Sequence, residues 1–183
     1  MAINVKKILA DAIIKLSYKK SLRKITVTDI IKEADVGHQT FYNHFRDKND
    51  LIFWVFQQTI RDERRIVETE GHYAYLFTVY SRAKEYQHFL TQAVKLTGQN
   101  SLTQIVYKMT YKFYKKYVVL CLGTDTLTAE YEYALEFNAH GASAGYVKWI
   151  IDGMPYSPDE LARNALYCMP ACITTCLETT RKK

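Results

Sequence analysis

The chain has little of what punctuates a sheet: seven glycines and three prolines in 183 residues. That is too few for the closely spaced turns of a sandwich or barrel. Long apolar runs are missing too. Val118 to Leu122 is interrupted after about a turn, far short of the ~20 residues that cross a bilayer. The opening stretch alternates charge and apolar residues from Val5 to Asp11, which no secretory leader does. A cytoplasmic, soluble protein is expected, with its four cysteines as reduced thiols rather than a disulfide framework. His72, His88 and His140 lack metal-ligand spacing, so neither metal nor cofactor is expected.

What is present favours a helical core. Apolar residues make up 48% of the chain, enough to exclude disorder. The net charge of +6 is unevenly placed. Residues 1–48 carry ten Lys/Arg against five Asp/Glu, whereas residues 49–183 carry fifteen against fourteen. A basic first quarter is the footprint of a module that binds a polyanion.

Helical periodicity runs through the chain. Val5, Ile8, Leu9, Ala12, Ile13 and Leu16 make the apolar stripe of a first helix. Thr26 with Asp29, Asp47 with Asp50, and Ser157-Pro158-Asp159-Glu160 read as helix starts with side-chain caps. A short helix follows Thr26, then the turn Asp35-Val36-Gly37, then a second short helix from Gln39 to Phe45. A longer helix starts at Asp47 and is expected to end near Gly71, with charge taking over at Arg61 to Arg65. Four more segments are expected, near 73–95, 99–121, 126–152 and 158–178, with Gly98 and Gly123 as breaks. Pro170 is expected to kink or interrupt the last. The fold class is all-α.

Two short helices joined by a three-residue turn over Thr26 to Phe45 make a helix-turn-helix. Neither helix can bury its apolar face alone, so both must pack on the first and fourth helices. The run Ile25-Thr26-Val27-Thr28-Asp29-Ile30, then Ala34-Asp35-Val36-Gly37, Thr40-Phe41-Tyr42-Asn43-His44-Phe45 and Asp47-Lys48 with Leu51 closely resembles the DNA-binding signature of the tetracycline-repressor (TetR) family. The resemblance covers about a quarter of the chain. Gly98-Gln99-Asn100-Ser101 and Gly141 to Gly153 are similar to a branch of dihydroxyacetone-kinase-type regulators.

The resemblance implies a TetR-like architecture: a three-helix helix-turn-helix head joined by a long fourth helix to a helical C-terminal dimerisation and effector body. The expected division is 1–48 for the DNA-binding head and 49–183 for the body. It also implies roles. Phe41 and Phe45 anchor the recognition helix; Tyr42 and Lys48 meet phosphate; Thr26, Thr28, Thr40 and His44 make further backbone contacts. His38, Gln39 and Asn43, behind Gly37, face the bases, and Gln and Asn suit adenine N6 and N7. Two positions depart from the family pattern. Asp35 stands where the family has Gly, and Gly37 stands where a Ser or Thr normally starts the recognition helix.

Other patterns tempt. Gly141-Ala142-Ser143-Ala144-Gly145 matches a nucleophile elbow, but no strand precedes it. Its small residues read instead as a site of helix approach, in a dimer or within the chain. Cys168, Cys172 and Cys176 recur at one face of the expected last helix and read as packing residues. Lys108, Lys112, Lys115 and Lys116 sit among Tyr107, Tyr111, Phe113, Tyr114 and Tyr117. They read as a solvated face over an aromatic core, with an anionic ligand or partner as the alternative. The functional expectation is a non-enzymatic regulator, a repressor, that binds a double-stranded DNA operator as a homodimer under small-molecule control. A protein coeffector is one alternative, and a sequence-independent architectural DNA-binding protein is another.

Overall fold

The structure, a computed structural model, describes residues 4–60, 64–97 and 99–181. Among these, every regular element is helical. Helix α1 (Val5–Ser17) buries Leu9, Ala12, Ile13 and Leu16. A 3-10 turn at Leu22–Lys24 leads into α2 (Val27–Ala34). The expected capping box forms there: the Asp29 N–H donates to Thr26 Oγ1 at 3.2 Å, and the Thr26 N–H donates to Asp29 Oδ2 at 2.7 Å. Asp35 ends α2 in a left-handed conformation at φ 52°, a backbone that Asp tolerates better than most residues. Helix α3 (His38–Tyr42) follows, and α4 (Lys48–Thr59) starts on the Asp47 cap at 2.9 Å.

The helix expected to run toward Gly71 is described as two segments. Ile60 leaves helical backbone at φ −111°, and α5 occupies Arg64–Thr69. Residues 61–63, where charge was expected to take over, are outside the described residues, as is Gly98. The segment expected at 73–95 is two helices, α6 (His72–Glu85) and α7 (Gln87–Thr97), parted at Tyr86. The long helices α8 (Gln99–Leu122) and α9 (Ala129–Ile151) pack together as a hairpin, with Gly123 turning the chain at φ 70°.

Pro170 does interrupt the last segment. Helix α10 (Pro158–Tyr167) starts on the Ser157–Glu160 capping box, and α11 (Ala171–Arg181) starts after the proline, which has no N–H to continue a helix. This corrects the reading of the three cysteines. Cys168 is the exposed cap of α10, whereas Cys172 and Cys176 lie on α11.

One core runs through all of it. Leu9, Ile13, Ile30, Phe41, Leu51 and Ile52 fill its head end, and Phe89, Leu90, Val118, Val147 and Ile150 its body. No described helix is long and apolar enough to cross a membrane.

Candidate functional site

The recognition element is built from beneath. Phe41 is fully buried and Phe45 nearly so. Their rings lie 6.0 Å apart, and Phe45 meets Trp54 of α4 edge-on at 6.1 Å. Each buried side chain of this kind is worth roughly 1.5–3 kcal/mol, ample to fix a five-residue helix that could not form alone. With Phe41 pinned inward, α3 must turn its other face out. His38, Gln39, Tyr42 and Asn43 are exposed there, and Thr40 and His44 are half-buried at its edges. Gln39 Nε2 donates to Asn43 Oδ1 at 3.0 Å, so the two amides present one paired surface. Gly37 caps α3 without a side-chain bond.

The N-terminus of α2 stands beside it. Thr26 and Thr28 are exposed at this helix start, where free N–H groups and the helix dipole attract anions. The α2 flank is braced on α1: Lys20 pairs with Asp29 at 2.7 Å, and Glu33 pairs with Lys15 and Lys19. The Lys20 ammonium and the Thr26 groups hold the Asp29 carboxyl well below the usual range, and Lys15 does the same for Glu33.

Lys48 occupies a position that the sequence does not reveal. Its Nζ donates to the carbonyls of Leu22 at 2.8 Å, Arg23 at 3.3 Å and Ile25 at 2.7 Å. The ammonium thus ties the 3-10 turn to the start of α4, and partial burial lowers its pKa. Two exposed cations were missed by motif matching: Lys24, just before α2, and Arg46, just after α3. Only the basic excess of residues 1–48 hinted at them.

The head also docks on α7. The Leu22 N–H donates to Gln92 Oε1 at 2.9 Å, Gln92 Nε2 donates to the Ser17 carbonyl at 3.2 Å, and His88 Nε2 donates to it at 2.9 Å. Tyr18 stacks on the His88 ring at 4.5 Å. Nothing in the local sequence marks these partners, some 70 residues apart.

Within the body, α6, α8, α9 and the end of α4 enclose a cavity of about 470 Å3, within the usual range for small-molecule sites. Tyr75, Tyr80, Phe113, Tyr114 and Tyr146 supply an aromatic wall, and Ile60 reaches it from α4. Beside the wall, the Tyr114 hydroxyl and His72 Nε2 share a hydrogen bond at 2.8 Å; burial lowers the His72 pKa to about 4. The elbow-like Ser143 is fully buried inside α9, its hydroxyl donating to the His140 carbonyl at 3.1 Å. That places it in a helix interior, not on a strand-to-helix turn. Among the described residues no group of His, Cys, Asp or Glu is placed to hold a metal ion.

Comparison with known proteins agrees with this geometry. Residues 72–169 match the family model described as "Transcriptional regulator C-terminal region", and residues 9–54 match "Bacterial regulatory proteins, tetR family". Over 56 residues the chain is 36% identical to the HTH-type dhaKLM operon transcriptional activator DhaS of Lactococcus lactis subsp. lactis (strain IL1403), covering 31% of this chain and 30% of that protein. An HTH-type transcriptional regulator of Staphylococcus aureus (strain bovine RF122 / ET3-1) is 39% identical over 46 residues, 25% of each chain. These alignments thus span less than a third of the curated relatives. A solved structure, the dihydroxyacetone kinase operon activator DhaS, superposes with a TM-score of 0.67 at 20% identity, over 99% of this chain and 98% of that one.

Proposed function

The chain belongs to the TetR family of DNA-binding transcription regulators, and on that premise we propose that it recognises a specific operator as a homodimer and releases or engages it under control of a small molecule. Residues 1–48 serve as the head and 49–183 as the body. The observation that carries this reading is α3: a helix pinned by Phe41 and Phe45 whose outer face offers His38, Gln39, Tyr42 and Asn43. Such a helix fits a major groove, with its N-terminal residues toward base edges. Thr26, Thr28, Thr40, Tyr42 and His44 flank it for phosphate and set its register, and Lys48, its three donors held by carbonyls, adds positive charge beside them.

The outer face of α9 supports dimerisation. Tyr133 and Phe137 are 72% and 60% exposed, and Gly141, Ala144 and Gly145 continue the same face in the open. A Cβ added at either glycine would meet no other described group within 4 Å beyond its own helix turn, so packing within the described chain does not account for these small residues. A second copy related by a two-fold axis would place two recognition helices about 34 Å apart.

The cavity supports small-molecule control. Ile60, at the end of α4, lines it directly, so a ligand that favours one placement of Ile60 shifts α4 and the head attached to it. The ligand must bind the two placements with different affinity. The curated name of DhaS describes an activator; for this chain repression is the reading we adopt, the sign being set by where the operator lies. The test is selection of bound fragments from sheared genomic DNA, followed by gel-shift titration at two salt concentrations. A palindromic site preferred about a thousandfold or more over bulk DNA is the expected result. Tight binding without preference would replace the regulator by an architectural protein.

A further inference from the structure

The cavity wall is not uniformly apolar. Lys112 and Lys116 line it from α8, one turn apart and exposed to solvent. Neither makes an ion pair with any described residue, whereas their neighbour Lys115 is neutralised by Glu132 at 2.8 Å. Tyr146 lines the cavity from α9, its side chain buried and its hydroxyl near Thr59 but short of a well-formed hydrogen bond. Buried hydroxyls are ordinarily bonded, because leaving one unbonded is costly. The same wall carries the rings of Tyr75 and Phe113, stacked at 4.5 Å, and the side chains of Val79, Val106 and Met109.

We propose that this cavity binds a small amphipathic anion, with an apolar or aromatic body among the rings and a carboxylate at the mouth between Lys112 and Lys116. The charge pattern excludes an amphipathic cation, since no described carboxylate lines the cavity. It also gives two unpaired ammonium groups a charged hydrogen-bond partner. The Tyr146 hydroxyl remains for an oxygen or nitrogen of the body. This inference rests on the reading of the body as the sensing region and names what that region senses.

The test is calorimetric titration of the purified full-length protein with decanoate, decanol and decylamine. Decanoate is expected to bind with one site per subunit, at least about tenfold tighter than decanol, with decylamine weakest. In the double variant Lys112→Gln, Lys116→Gln the decanoate affinity falls about tenfold, while that of decanol is unchanged. Ala142→Trp, which fills the cavity, abolishes binding of both; should it fail to fold, the exposed lysine pair still decides. Decanol binding as tightly as decanoate, a double variant that binds decanoate like the wild type, or no saturable binding would each overturn the proposal. The titrations contain no DNA. A missing operator would therefore sink the regulator reading and leave this result standing, and the reverse holds equally.

Discussion

Three side chains carry separable consequences. Lys48 spends its donors on the carbonyls of Leu22, Arg23 and Ile25. Lys48→Ala strands those oxygens at a partly buried junction, so a stability loss of about 1–3 kcal/mol is expected in thermal melts. The lost charge also lowers the salt slope of DNA binding by about one. An unchanged melting temperature would refute the carbonyl clamp, and an unchanged slope the part its charge plays in DNA binding. Gln39 bears on sequence rather than affinity. Gln39→Ala should make particular mismatches, each normally costing ~1–3 kcal/mol, nearly free; a binding-site logo that survives intact would show that Gln39 reads no base. His72 bears on pH. Its folded pKa of about 4 lies below the 6.5 of an exposed histidine, so the unfolded chain binds the proton first. Its contribution is complete above pH 6.5 and is lost as pH falls toward 4, about 3 kcal/mol in all. His72→Gln keeps an acceptor for Tyr114 and should flatten the melting curve across that window. Equal slopes in both proteins would remove His72 from the account.

At the scale of elements, α7 is the unexpected one. The sequence makes it part of one helix with α6, because 73–95 holds no glycine or proline to end it. The break at Tyr86 lets α7 swing onto the head, where Gln92 serves both the Leu22 N–H and the Ser17 carbonyl. Gln92→Ala should speed amide exchange at Leu22 by about five- to tenfold, since one hydrogen bond contributes roughly 1 kcal/mol. Exchange at the wild-type rate would leave the dock to His88, with its bond to the Ser17 carbonyl and its stack on Tyr18. What was legible in the sequence follows a physical divide. The caps at Thr26, Asp47 and Ser157 and the inward turn of Phe41 depend on residues within four positions of each other, so local chemistry states them. The exposed outer face of α3 follows from the same spacing. The Lys48 clamp, the α7 dock and the cavity between α6 and α9 join residues at least 23 positions apart. No local pattern encodes such meetings, and only the packed structure shows them. Pro170 lies between the two cases: its missing N–H foretold a kink or a break, and tertiary packing chose the break.

At the scale of the whole molecule, the head is too small a gripping device on its own. One five-residue helix with a few exposed polar side chains makes a single half-site, and two half-sites joined rigidly gain through effective concentration rather than new contacts. The joint must therefore be stiff and must lie away from the DNA-facing surface. The outer face of α9 meets both needs: it belongs to the long α8–α9 hairpin, and it leaves Tyr133 and Phe137 bare. Phe137→Glu should fold normally, because the ring touches solvent across most of its surface in the single subunit. Burying that carboxylate opposite its own copy would be prohibitive, so sedimentation should show a monomer at concentrations where the wild type is a dimer. Operator affinity should fall by about two orders of magnitude or more, while binding to a single half-site stays unchanged. A Phe137→Glu protein that still sediments as a dimer would move the interface off this face. Because α9 also contributes Ala142 and Tyr146 to the cavity, the face proposed to join two subunits and the wall proposed to meet a ligand are two sides of one helix. A rotation of α9 too small to disturb either site alone would then reach both heads at once.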